Sequence, residues 1–281
     1  MSAATIFPHR RGVCALFVVA SLLAAPLAAS AHRPWLLPSA TTVDGDAPVV
    51  SIDGAISEDL FDFDAFPLAI DDLAVTAPDG RAVATEGRAA TRRRTSFDIK
   101  LVQKGTYRIA GVTDAAMASW KQGGEQHRWR GAPADLATQV PADAQDVQVT
   151  RMLTRAETFV TNDTPSAVAP DASTPGLSMQ PLTPPTDLSD GDTSRFRLLL
   201  DGKPYANADV TVIRGGNRYR YKMGEMALKT DGDGVVAITW PEPGRYWLGA
   251  NHGGRGAASA GTAAQPVRRE GYSATFEVLP K

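Results

Sequence analysis

The chain has a single cysteine in 281 residues, Cys14, close to the amino terminus. If residue 14 leaves with an export signal, no disulfide and no thiolate metal site remain. Charge of one sign is also scarce: 29 basic against 31 acidic side chains, a net charge of −2. That balance speaks against a nucleic-acid partner and against an anionic membrane surface. After residue 27 there is no apolar run long enough to span a bilayer, so no stable membrane insertion is expected once a signal is removed. The chain also lacks a G-x-S-x-G elbow, an H-E-x-x-H pair, a phosphate-binding glycine loop and an EF-hand register. Carboxylates are scattered so widely that any pair of them discriminates nothing.

Strong helical periodicity is missing too, whereas turn formers are plentiful, with 25 glycines and 20 prolines. Both facts point to an all-β protein with many turns. Residues 95–112, TSFDIKLVQKGTYRIAGV, alternate apolar and polar side chains around Lys104-Gly105, a hairpin-like pattern. Residues 147–160 alternate well and predict one long strand. The stretch 132–147, rich in Ala, Asp and Pro, reads as a loop with one short helical turn. Thr, Pro and Ser crowd residues 164–175, which read as a linker. Beyond it, turns at 201–204, 231–234 and 241–244 separate further short strands, and residues 272–280 close the sheet. The expected architecture is therefore two β-sandwich domains, 32–163 and 176–281, the second immunoglobulin- or transthyretin-like.

The amino terminus reads as a signal peptide, residues 1–31. Arg10 and Arg11 form a basic start, residues 13–27 an apolar run, and Ala29-Ser30-Ala31 a small-x-small cleavage triplet. The residues after the arginine pair fit twin-arginine export poorly, so Sec export to the periplasm is expected. Cys14 sits at the start of the apolar run, which argues against a lipoprotein anchor. Loss of Arg10 and Arg11 takes 29 basic side chains to 27 against 31 acids, a net charge of −4. Cleavage after Ala31 would make His32 the first residue, with an amine and an imidazole on one residue.

Three quoted stretches resemble one family: AHRPWLLPS at 31–39, GLSMQPLTPPTDLSDGDTSRFRLLLDGKPYANADVTVIR at 176–214, and TDGDGVVAITWPEPGRYWLGANH at 230–252. Together they are similar to the secreted proteins of the domain of unknown function 4198 family. The best motif positions are His32, Trp35, Leu36, Pro38 and Ser39, with Trp247, Asn251 and His252. Members are often labelled as similar to periplasmic components of cobalt/nickel transport systems. The resemblance therefore implies export, two β domains and a link to divalent metal, with a membrane metal transporter as a partner.

The histidines carry that expectation. His32 offers two nitrogens, and a second imidazole would complete a histidine brace suited to Cu(II) and, less tightly, to Ni(II) or Co(II). His252 is the expected second ligand, and His127 an additional candidate that reads more readily as an exposed loop or hairpin tip. Pro34 at mature position three excludes the square-planar amide chelate, which needs a histidine and a deprotonated amide there. Met223 and Met226 could offer thioethers to Cu(I), although packing is the commoner use of such methionines. The acidic stretch 57–72 and the TDGDG turn at 230–234 read as loops rather than Ca²⁺ sites. Arg92, Arg93 and Arg94 read as a solvated edge or turn. Three functions stay open: a metal-binding protein for uptake, delivery or sequestration; a copper-dependent oxidative enzyme of brace type; and a non-catalytic structural or interaction module.

Overall fold

A computed structural model describes residues 32–69, 72–168, 175–253 and 261–281. The expected signal peptide and residues 169–174 of the expected linker lie outside these. The architecture is all-β, as the composition predicted. Strand alternation is its local cause. In Thr95–Lys100, for example, Thr95, Phe97 and Ile99 point inward while Ser96 and Asp98 are partly exposed.

Three sheets are formed. The largest has nine strands, and its spine runs Met226–Lys229, Asp209–Arg214, Gly244–His252, Val267–Val278, Gln145–Asn162, Gly105–Gln122, Asp72–Thr76. A five-stranded sheet holds Arg33–Pro38, Val49–Ser57, Thr95–Lys100 and Thr85–Ala90, with Phe66–Pro67 at its side. A four-stranded sheet holds Leu177–Pro181, Thr193–Leu200, Lys203–Pro204 and Val235–Thr239.

The large sheet is common to both halves of the chain. Gln145–Asn162 pairs antiparallel with Gly105–Gln122 and parallel with Val267–Val278. Side-chain parity then separates two cores. Ala156 and Val160 join Leu36, Ile52, Phe97 and Ile99 beneath the five-stranded sheet. Phe159, on the other face of the same strand, joins Met179, Phe196, Val236, Trp240 and Phe276 beneath the four-stranded sheet. The smaller sheets therefore cover opposite faces of the large one. A third core, built from Trp35, Ala55, Leu60, Ile213 and Trp247, ties the first strand to the second half. Residues His32–Lys281 form one compact unit. The large sheet takes strands from both sides of the expected linker.

One local expectation is corrected. The strands flanking Lys104-Gly105 do not form a hairpin. Thr95–Lys100 pairs with Val49–Ser57 and Thr85–Ala90, whereas Gly105–Gln122 belongs to the large sheet. The segment is a corner at which the chain changes sheets. The Tyr107 hydroxyl clamps it by accepting from the Gln103 amide (2.6 Å) and donating to the Gln103 carbonyl (2.9 Å). Gly105 is required there: its φ is +119°, and a Cβ would lie 2.7 Å from Ser166 Oγ. The turn at 231–234 forms as expected, closed by the Gly234 amide donating to the Asp231 carbonyl.

Trp240 is fully buried, donates through its indole nitrogen to Ser194 Oγ (2.9 Å), and meets the Tyr246 ring edge-on. Replacing it by alanine is expected to cost about 3–5 kcal/mol, as is Phe97→Ala in the other core. Because one sheet serves both cores, urea unfolding followed by fluorescence and by far-UV circular dichroism should give coincident single transitions for both variants.

Candidate functional site

The three expected metal ligands occupy three separate places. His32 is half-exposed at the head of the first strand. Its Nε2 lies 3.8 Å from Glu58 Oε1, and its ring stands edge-on to Phe66 with centroids 5.6 Å apart. Glu58 sits on a fixed loop. Asp64 accepts from the Glu58 and Asp59 amides, and Asn217 accepts from the Leu60 amide while donating to Asp59. Asp59 and Asp62 pair with Arg218, so two carboxylates of the acidic stretch are already matched to a cation.

His252 ends the strand Gly244–His252. Its Nδ1 lies 3.0 Å from the Tyr205 hydroxyl, and the rings meet edge-on. Strand parity sets it apart from His32. Trp247 turns toward the first strand and donates to the Pro34 carbonyl (3.0 Å). His252 instead shares the face of Leu248 and Ala250, which belong to the core on the other side. His127 lies on Glu125–Gly131, the outer strand of a hairpin, stacked on Trp120 with centroids 5.6 Å apart and 16° between planes. Among the described residues, no group of three or more His, Cys, Asp and Glu side chains is placed to hold a metal ion. Met223 packs on the third core and its sulfur accepts from Arg33, while Met226 packs on the second core.

The structure therefore does not bring His32 and His252 together. A chelate through the amine of a terminal histidine closes with Nδ1 of the same residue and leaves Nε2 outward. Nε2 is the nitrogen that faces Glu58. A carboxylate behind the ring orients it and raises the basicity of the ligating nitrogen.

Sequence reasoning missed the charges inside. Arg108, Arg155, Glu157 and Glu270 are all buried. Arg155 Nε donates to Glu157 Oε1 (2.6 Å), and the Tyr272 hydroxyl donates to Glu157 Oε2 (2.6 Å). Arg108 donates to the Met179 carbonyl (3.1 Å), and its guanidinium lies over the Phe159 ring. Burial, and then the charge of Glu157, push the Tyr272 phenol well above its usual range, so it stays a donor. The available signal was charge at core-facing parity: Arg155 and Glu157 alternate in register with Phe159.

Nearby, Arg268 holds Asp201 with two bonds of 2.9 Å. That pairing, helped by the Gly176 amide, lowers the Asp201 carboxyl from 3.8 to about 2. Arg151 holds Asp114 in the same bidentate way. Arg151, Leu153, Pro175, Asp201, Arg268 and Glu270 line a cavity of about 230 Å³.

A family profile described as "Domain of unknown function (DUF4198)" matches residues 29–254. The chain belongs to this family. Its description states no activity, and the matched range stops before the last strand of the large sheet, Val267–Val278. No curated protein matches the chain. Among solved structures, the D0-D1 domain of intimin is 12% identical, with a TM-score of 0.23 over 86% of this chain and 97% of that one. The adhesin InvE of Yersinia pseudotuberculosis is 9% identical, with a TM-score of 0.22 over 86% and 58%. The two tandem V-type regions of VCBP3, a chitin-binding protein, are 12% identical, with a TM-score of 0.22 over 88% and 99%. Similarity at this level carries no argument about function.

Two outcomes follow for the charged residues. Glu157→Gln would leave two buried guanidinium groups without their carboxylate, at a cost of about 3–5 kcal/mol in urea unfolding. A depressed carboxyl stabilises the fold above its unfolded pKa, and this contribution is lost as pH falls through the folded value. For Asp201 the window runs from about pH 4 down to about pH 2. Asp201→Asn should flatten the fall in thermal midpoint across that window.

Proposed function

We propose that the chain is an exported, periplasmic protein that binds a transition metal at its processed amino terminus. The ligands are the His32 amine and His32 Nδ1, with Glu58 behind Nε2. The observation that carries this reading is the approach of His32 Nε2 to Glu58 Oε1 at 3.8 Å. It is supported by the start of the compact unit at His32, the residue that cleavage after Ala31 would free. Nitrogen donors favour Cu(II) over Ni(II) and Co(II). Bound there, the metal would keep open positions facing solvent, which suits uptake or delivery to a membrane transporter better than permanent storage. The brace-type oxidative enzyme loses support, because His252 faces the opposite side of its strand.

A second reading, a non-catalytic interaction module, is favoured by the dispersal of the histidines and by the exposed side chains of Phe66, Tyr219 and Tyr221.

The test is native mass spectrometry of protein taken from the periplasm and given one equivalent each of Cu(II), Ni(II) and Co(II). The expected species begins at His32 and retains one Cu(II). His32→Ala should abolish retention, Glu58→Gln should weaken affinity by about 10–100-fold, and His252→Ala and His127→Ala should leave it unchanged. Bound Cu(II) should also raise the melting temperature. A different amino terminus, or no retained metal, would leave the interaction module.

A further inference from the structure

A cleft of about 390 Å³ opens between the loop at 58–65 and the turn that follows Asp209–Arg214. Phe61, Asp62, Arg214, Tyr219 and Arg245 stand around it. Both walls are fixed before any ligand arrives. Asn217 is buried and clamps one to the other: its Oδ1 accepts from the Leu60 amide (2.9 Å) and its Nδ2 donates to Asp59 (3.1 Å). Arg220 ties the turn down from within, donating to the Arg214, Gly215 and Met223 carbonyls. Phe61 holds a left-handed φ of +68°, a strained backbone for a residue other than glycine. Its ring lies so close over Gly215 that a Cβ there would come within 2.6 Å of it. Such strain persists only where the surroundings hold it, and ligand clamps are one such place. The anchored turn presents Tyr219 outward, 82% exposed.

Charge around the cleft is balanced. Arg214 pairs with Glu242, Asp62 stands 3.6 Å from Arg218, and Arg245 stands 4.0 Å from Glu277. An anion would face Asp62, a cation would face Arg214 and Arg245, and a wholly apolar guest would strip water from all three. A neutral ligand rich in hydroxyls conflicts with none of them, because each hydroxyl can donate to a carboxylate or accept from a guanidinium. The pairs of Asp62 and Arg245 are too long for hydrogen bonds and lie in solvent, so they yield at little cost. Phe61 and Tyr219 supply ring surfaces for a flat C–H face. The volume exceeds the roughly 300 Å³ at which small-ligand sites begin. We propose that this cleft binds a neutral hexopyranose unit. Its C–H face lies on Tyr219 and its hydroxyl rim turns to Asp62 and Arg245.

The proposal rests neither on a processed terminus nor on a metal, and it is tested on metal-free protein. The methyl pyranosides of glucose, galactose and mannose are titrated by calorimetry, with cyclohexylmethanol and glucuronate as apolar and anionic controls. Saturable binding of at least one methyl hexoside, tighter than either control, is expected. Tyr219→Ala should weaken it about three- to tenfold, whereas Tyr219→Phe should keep it. Arg245→Gln should weaken it about tenfold, the usual weight of a hydrogen bond to a charged group. Tyr221→Ala removes a fully exposed ring that does not line the cleft and should change nothing. A tetrasaccharide of the preferred hexose, run in parallel, distinguishes the source: tighter binding marks a glycan chain, equal binding a free sugar, and either supports the pyranose site. No saturable binding of any hexoside, equal binding of cyclohexylmethanol, preference for glucuronate, or unchanged affinity in Tyr219→Ala or Arg245→Gln would overturn the proposal. His32→Ala should bind the hexoside as the parent does.

Discussion

The parallel ladder between Gln145–Asn162 and Val267–Val278 is the constraint on which the rest depends. It runs through nine pairs, from Thr150 opposite Val267 to Thr158 opposite Thr275. Parallel strands are stable when both faces are covered. The four-stranded sheet covers one face and the five-stranded sheet the other, so every residue from 155 to 162 is buried. Coverage on both sides leaves Arg155 and Glu157 nowhere to meet water. Their mutual pairing, with Arg108 and Tyr272, follows from that burial rather than adding to it. A buried ion group of this kind is weak as a source of stability, but it is costly to break.

Much of the local structure was legible in the sequence. The long strand read at 147–160 lies within Gln145–Asn162, the tight turn at 231–234 forms, and a short helical turn, Leu136–Gln139, interrupts the loop after residue 132. Strands and turns declare themselves through nearest neighbours, and these signals are nearest-neighbour signals. What was not legible is partnership. Residues 95–112 alternate like a hairpin, yet their two strands lie in different sheets, because alternation records which side is buried and not against what. The inward charges failed for the same reason. Arg155, Glu157 and Glu270 look like outward polar residues until a second layer covers them.

The candidate site shows the same division. His32 and His252 were each singled out from residues close by in sequence, and each sits among polar or aromatic groups: Glu58 and Phe66 for the first, Tyr205 and the ladder to Glu270 for the second. Their convergence was an inference about tertiary placement. Parity on Gly244–His252 decides against it, since Trp247 faces the first strand and His252 the second core. Two separate neighbourhoods result, one half-exposed beside Glu58, the other beside Tyr205 on the face of the second core.

The pairing of residues far apart in the chain also bears on the order of folding. The Thr158 hydroxyl donates to the carbonyl of Thr275, 117 residues later. Until Val267–Val278 has left the ribosome, the strand 145–162 has a bare edge and the second core has no roof support from Phe276. High contact order of this kind slows folding. The large sheet therefore closes only once the whole chain is available, which makes its closure a late step of folding.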